Sequence, residues 1–101
     1  FSQKILEITN EQGVDMIEDF SGARFLKQNI EILKEEGRLL LLALMGGSKA
    51  EIDLVPIIKK RLHLHGFTLR SKTLNEKRVI TQQFQQKWGA KLASGDLVPI
   101  I

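Results

Sequence analysis

The chain has 101 residues, 43% hydrophobic and 27% charged, an ordinary globular composition that excludes disordered and collagen-like classes. Its net charge is +3, but the basic residues are scattered among acids rather than striped with aromatics, which argues against a nucleic-acid surface. Cysteine is absent, so these residues hold no disulfide or thiolate metal site. No apolar run approaches the roughly 20 residues that cross a bilayer and none reads as a signal peptide, so no membrane contact and a cytoplasmic setting are expected.

Ser2 to Glu11 reads as a helical segment with Phe1, Ile5, Leu6 and Ile8 on its apolar face, stopped by Gly13. Val14 to Glu18 follows as a first strand. After the turn Asp19-Phe20-Ser21-Gly22, the apolar residues Phe25, Leu26, Ile30 and Leu33 recur at helical spacing until Gly37, which predicts a left-handed cap there. The run GRLLLLALMGG from Gly37 to Gly47 then predicts a strand buried on both faces, with a bare glycine backbone at its carboxyl end. Asp53 to Ile58 reads as a short helix, and Lys59, Lys60 and Arg61 after it form a solvated basic end that suits the negative pole of the dipole. Leu62 to Leu69 alternates as a strand, with Leu62 and Leu64 on one side and His63, His65, Phe67 and Leu69 on the other.

Thr73 and Glu76 stand at capping-box spacing and open a long helix carrying Ile80, Phe84 and Trp88, which ends near Ser94 and Gly95. Leu97 to Ile101 reads as a further extended segment, with Pro99 at a strand start or edge.

Three strands joined by two helical crossovers predict an α/β fold, the second half of a doubly wound parallel sheet. Residues 1–95 are expected to be the C-terminal half of a nucleotide-binding domain and 96–101 the start of a return to a further domain. The phosphate-binding turn G-x-G-x-x-G is nowhere in the chain, so the sequence reads as a fragment of a larger enzyme, inactive alone. Ligands of such sheets lie at the carboxyl ends of the strands, where fixed backbone donors and acceptors can meet a carboxamide.

Several residues invite sharper readings. His63 and His65 share a strand face but lack an evident third metal ligand, so surface or interface histidines are the plainer reading and no metal site is assigned. Glu18 and Asp19 face opposite sides of their strand, which argues against a catalytic carboxylate pair and leaves Asp19 to fix the turn. Phe84 and Trp88 read as packing anchors rather than base-stacking groups. Arg70, at a strand's carboxyl end, divides evenly between meeting a phosphate or carboxylate and a structural role.

The pieces Gly13-Val14-Asp15, Asp19-Phe20-Ser21-Gly22, Asn29, Gly37-Arg38, Met45-Gly46-Gly47, Lys60-Arg61-Leu62, Gly66, Thr68-Leu69-Arg70-Ser71, Lys77 and Pro99 resemble the zinc-free quinone oxidoreductase branch of the medium-chain dehydrogenase/reductase superfamily. The most specific piece is Gly-x-Thr-Leu-Arg-Ser followed by a lysine and a long helix. The resemblance implies a two-domain reductase that passes a hydride from NADPH to a quinone or related activated alkene. By position it implies cofactor contacts from Gly22 and Ala23, from Ala43, Leu44, Met45 and Gly46, and from Phe67, Thr68, Leu69 and Arg70, with no catalytic side chain among them. It also implies a homodimer paired along strand 62–69, which has no internal proline and charges only just outside it at Arg61 and Arg70. Other reductases of the superfamily, acting on enones or enoyl thioesters, and a non-catalytic assembly piece are the alternatives. Three positions depart from the pattern: Ala43 adds a methyl group where glycine is frequent, Ser21 replaces a β-branched residue, and Glu18 places a carboxylate on a strand position expected to be buried.

Overall fold

In the computed structural model three parallel strands stand in the order β1 (Val14–Asp19), β2 (Leu33–Leu41) and β3 (His63–Gly66), as the two crossovers require. All 101 residues are described; Phe1–Phe67 form one unit and Thr68–Ile101 a second. In the first unit, helix α1 (Ser2–Ile8) precedes β1, a 3-10 turn (Gly22–Phe25) leads into α2 (Leu26–Ile32), and α3 (Val55–Lys59) precedes β3. No helix is long and apolar enough to cross a membrane.

Helix α2 packs on β2 and against α3, so the crossover helices cover one face of the sheet. The core lies there, in Ile30, Ile32, Leu33 and Leu39, and Phe1 meets Phe25 edge to face at 5.2 Å. The apolar run of β2 is therefore buried on one face only: Leu39 is 0% exposed, whereas Leu40 and Leu42 line an open cleft of about 560 Å³ with Met16, Arg38 and His65. Both crossover helices lie on the same side, and within this unit no layer covers the other face. Glu18 lines that open cleft, exposed, so its carboxylate is not buried as its strand position predicts.

Other boundaries shift for local reasons. Helix α1 stops at Ile8 because Thr9 Oγ1 donates back to the Ile5 carbonyl at 2.8 Å and accepts from Gly13 N–H at 3.0 Å. The turn then passes through left-handed Asn10 (φ 53), Glu11 (φ 64) and Gly13 (φ 82). Gly37 is no helix cap. Helix α2 gives way to β2 with no loop, and the left-handed residue near the expected position is Glu36, at φ 63. Gly37 is needed for close approach instead: an added Cβ would lie 2.8 Å from the Lys34 carbonyl oxygen and 3.1 Å from Leu33 Cβ. Strand β3 is shorter than Leu62 to Leu69, because Leu62 N–H bonds the Ile57 carbonyl at the end of α3 and β2 itself ends at Leu41, whose carbonyl takes the Phe67 N–H.

Lys59 and Arg61 are exposed, as a solvated basic end requires, but Lys60 between them is folded under. Lys60 Nζ donates to the carbonyls of Ile30 at 2.6 Å, Leu33 at 2.8 Å and Glu31 at 3.2 Å, capping α2 where no loop could do so. Burial pulls its ammonium below the usual lysine range, and Glu31 pulls the other way. Replacing Lys60 with methionine keeps the stem and removes the donors, so urea unfolding is expected to show a loss of about 1–3 kcal/mol; unchanged stability would show that water satisfies these carbonyls equally well. The Asn29 side chain, by contrast, is buried with its Nδ2 unpartnered.

The second unit is dominated by α4 (Leu74–Ser94). Its capping box forms as expected: Glu76 N–H donates to Thr73 Oγ1 at 3.2 Å, Thr73 N–H donates to Glu76 Oε2 at 2.7 Å, and Gly95 closes the helix at φ 83. Leu97 to Ile101 adopts no strand.

Candidate functional site at the carboxyl edge of the sheet

The loops leaving β1 and β2 are clasped to each other entirely through the main chain. Leu42 N–H donates to the Asp19 carbonyl at 2.9 Å, Met45 N–H to Phe20 at 3.1 Å, Gly46 N–H to Ser21 at 2.6 Å, and Ala23 N–H to Gly47 at 3.0 Å. Phe67 N–H continues the ladder to the Leu41 carbonyl at 3.0 Å. Asp19, 7% exposed, anchors the first loop as its sequence suggests: Oδ1 accepts from Ser21 N–H at 3.0 Å and Oδ2 from Gly22 N–H at 2.7 Å.

This arrangement gathers Gly22, Ala23, Ala43, Leu44, Met45, Gly46 and Phe67 at the carboxyl ends of three adjacent strands. Thr68, Leu69 and Arg70 belong to the second unit. Gly22 has φ 78, and an added Cβ would lie 2.7 Å from both the Gly47 carbonyl oxygen and Leu44 Cδ2. At Gly46 an added Cβ would overlap Ser21 Oγ and lie 2.8 Å from Arg24 Cβ. The first demand for glycine there comes from the neighbouring loop, not from a ligand. Ala43 takes part in none of the loop hydrogen bonds, so its N–H and carbonyl are free to serve a ligand. Beside it Leu44, Met45, Phe20 and Phe67 are exposed, an apolar rim at the strand ends. A backbone donor and acceptor between apolar walls fits a nicotinamide carboxamide.

The opposite, amino-terminal end of the sheet holds a cluster that sequence reasoning missed, because left-handed backbone at glutamate and arginine leaves no mark in periodicity. Glu36 (φ 63) and Arg61 (φ 50) are joined by Arg61 Nε donating to Glu36 Oε1 at 2.8 Å and by Glu36 N–H donating to the Lys60 carbonyl at 2.7 Å. Hydrogen bonds from Arg61 and then His63 hold the Glu36 carboxyl below its usual range. His63 Nε2 lies 3.4 Å from Glu36 Oε2, and the rings of His63 and His65 are parallel within 6° at 6.2 Å, on one strand face as the alternation predicts. A further cleft of about 460 Å³, lined by Lys27, Ile30, Glu31, Asp53 and Lys60 among others, lies along α2 and α3, away from the strand ends.

Parallel strands, crossover helices and a loop platform at the carboxyl edge define a Rossmann-like α/β half-domain. Residues 1–86 match the zinc-binding dehydrogenase family, and the chain belongs to it. An alcohol dehydrogenase superfamily protein from Novosphingobium aromaticivorans is 25% identical with a TM-score of 0.70, over 97% of this chain and 29% of that one. The Escherichia coli quinone oxidoreductase complexed with NADPH is 16% identical with a TM-score of 0.74, over 99% and 30%. The nucleotide-binding subdomain of the enoylreductase domain of PpsC from Mycobacterium tuberculosis is 23% identical with a TM-score of 0.72, over 99% and 55%. The chain thus spans about a third or less of the two longer proteins. Comparison with curated proteins finds no match. The family's description names zinc, but the chain has no cysteine, and no three histidine, aspartate or glutamate side chains converge.

Proposed function

We propose that this chain is the nicotinamide-side half of the cofactor-binding domain of a zinc-free NADPH-dependent quinone oxidoreductase. The observation that carries this reading is the clasped platform at the carboxyl edge, with Ala43 left free between apolar side chains. Bound NADPH would supply a hydride to the quinone. Ala43, Leu44, Met45 and Gly46 would hold the carboxamide and ring, Gly22 and Ala23 would approach from the first loop, and Phe67 would line the third strand's exit. Residues 1–95 would form the half-domain and 96–101 the return to a catalytic domain. None of these residues is asked to move a proton; their work is to bind and orient the ring.

The whole enzyme would pair as a homodimer along the free edge of β3, whose four residues are all exposed. The enoylreductase likeness of PpsC supports a second reading for the acceptor, an enone or enoyl thioester in place of a quinone.

The test uses the isolated chain, small enough for amide-resolved NMR. Titration with NADPH is expected to shift the amides of Gly22, Ala23, Ala43 to Gly46 and Phe67, with a dissociation constant on the order of 1 mM, about 4 kcal/mol. No quinone reduction should follow by nicotinamide absorbance. Gly46→Val, which forces the two loops apart, should weaken binding by more than about tenfold. Shifts confined to other residues, or undiminished binding by folded Gly46→Val, would defeat the assignment.

A further inference from the structure

We propose that His63 and His65 form half of a transition-metal site, completed by the same pair from a second copy aligned along the free edge of β3. The proposal rests on the edge pairing just described, and adds to it a ligand. His63 and His65 are both exposed, on one face of β3, with parallel rings 6.2 Å apart; His63 meets Glu36 and His65 lines the open cleft.

The tautomer of His63 is set by its neighbour. A carboxylate only accepts, so in the neutral imidazole Nε2 is the atom that donates to Glu36 Oε2, and Nδ1 keeps the lone pair a metal needs. A histidine that gives its far N–H to a carboxylate while ligating through the other nitrogen is the usual outer-shell arrangement of metal sites. Glu36 is itself held in place by Arg61. Arg38, beside His63 in the β2 register, and Arg61, on Glu36, bring opposing charge to this region, and Glu36 and Glu18, which lines the same cleft as His65, offset it.

Within one chain the set stops at two imidazoles, too few for a tetrahedral ion. Pairing supplies the rest. A two-fold axis normal to the sheet keeps each residue on its own face, so opposed residues have the same parity. With Leu64 on the axis, His63 stands across from the partner's His65, and His65 across from the partner's His63, at cross-strand Cβ separations of about 4.5–5.5 Å. Four imidazoles then surround one point on one face, a donor set suited to Zn²⁺ and neighbouring divalent ions. Strand β3 has only four residues, a short edge to hold two copies by backbone bonds alone, and a shared ion supplies what that edge lacks.

The experiment is sedimentation of the tag-free chain in EDTA and with added Zn²⁺, paired with Co²⁺ absorption, which is intense only for tetrahedral sites. With free Zn²⁺ at roughly ten times its dissociation constant from the dimer, linkage should tighten self-association about tenfold, at one ion per two chains. His65→Ala and His63→Ala should lose the zinc effect, and Glu36→Gln, which keeps all four ligands, should weaken metal binding by about 10- to 100-fold. Association that is equal in EDTA and zinc would overturn the metal site and leave the edge pairing standing. A monomer in EDTA that dimerises with zinc would support the site and remove metal-independent pairing. A monomer under both conditions, or a zinc effect retained by His65→Ala, would overturn the proposal.

Discussion

Replacing Leu39 with alanine is expected to cost about 3–5 kcal/mol, most of the stability of a unit this small, for which roughly 0.05–0.15 kcal/mol per residue is usual. Leu39 is the one large side chain wholly removed from water. It sits mid-sheet, in register with Ile17 on β1 and Leu64 on β3. The cavity left behind would open mid-sheet between those two register partners, in strands held on both sides by their ladders. Its chain neighbour Leu40 makes the control, since it points into the open cleft and its truncation should cost about 1 kcal/mol or less. Urea unfolding followed by far-ultraviolet circular dichroism measures both. Equal losses would mean that β2 is buried on both faces after all.

The second large effect is expected at Gly13. It stands at φ 82, and an added Cβ would overlap the Ile32 carbonyl oxygen while lying 3.1 Å from its carbon. The turn into β1 therefore rests directly on the junction of α2 and β2. Gly13→Ala pays the left-handed penalty of roughly 1–2 kcal/mol and must also push two main chains apart, so its cost should exceed that penalty clearly. Gly47 offers the comparison within the same unit: it too has positive φ, but an added Cβ meets only Ala23 Cβ, at 3.3 Å. Thermal unfolding of Gly13→Ala and Gly47→Ala at equal cost would remove backbone crowding from the account of Gly13.

Much of this fold is legible before any coordinate. The apolar run and the helical spacing on either side of it point to parallel strands with crossovers, although the strand ends at Leu41 and the burial on both faces that the run suggests is not found. The capping box at Thr73 and Glu76 is equally local, which is why it is found where spacing places it. What escapes is whatever depends on partners distant in sequence. Nothing around Lys60 says that its ammonium reaches back thirty residues to cap a helix, and a basic triplet after a helix reads the same whether it is solvated or folded under. Gly37 and Glu36 fail differently: glycine is the better left-handed residue, yet the close approach of Lys34 and Leu33 reserves it for the next position and leaves the strain to glutamate. At the candidate site, membership of the carboxyl edge is legible from strand ends, whereas the clasp between the loops is not, because it is written in amides and carbonyls that every residue has.

That last property bears on how freely such a sequence can drift. Phe20, Ser21, Ala23, Leu44 and Met45 contribute only backbone atoms to the bonds that shape the platform, so each can be exchanged without deleting one of them. Selection on the shape falls on the positions where a side chain is forbidden, Gly22 and Gly46, and on the single carboxylate of Asp19. A scaffold specified by so few side chains can keep its contour while most of its letters change. The rim residues are then free to be rewritten for a new ligand while the platform beneath them stays the same.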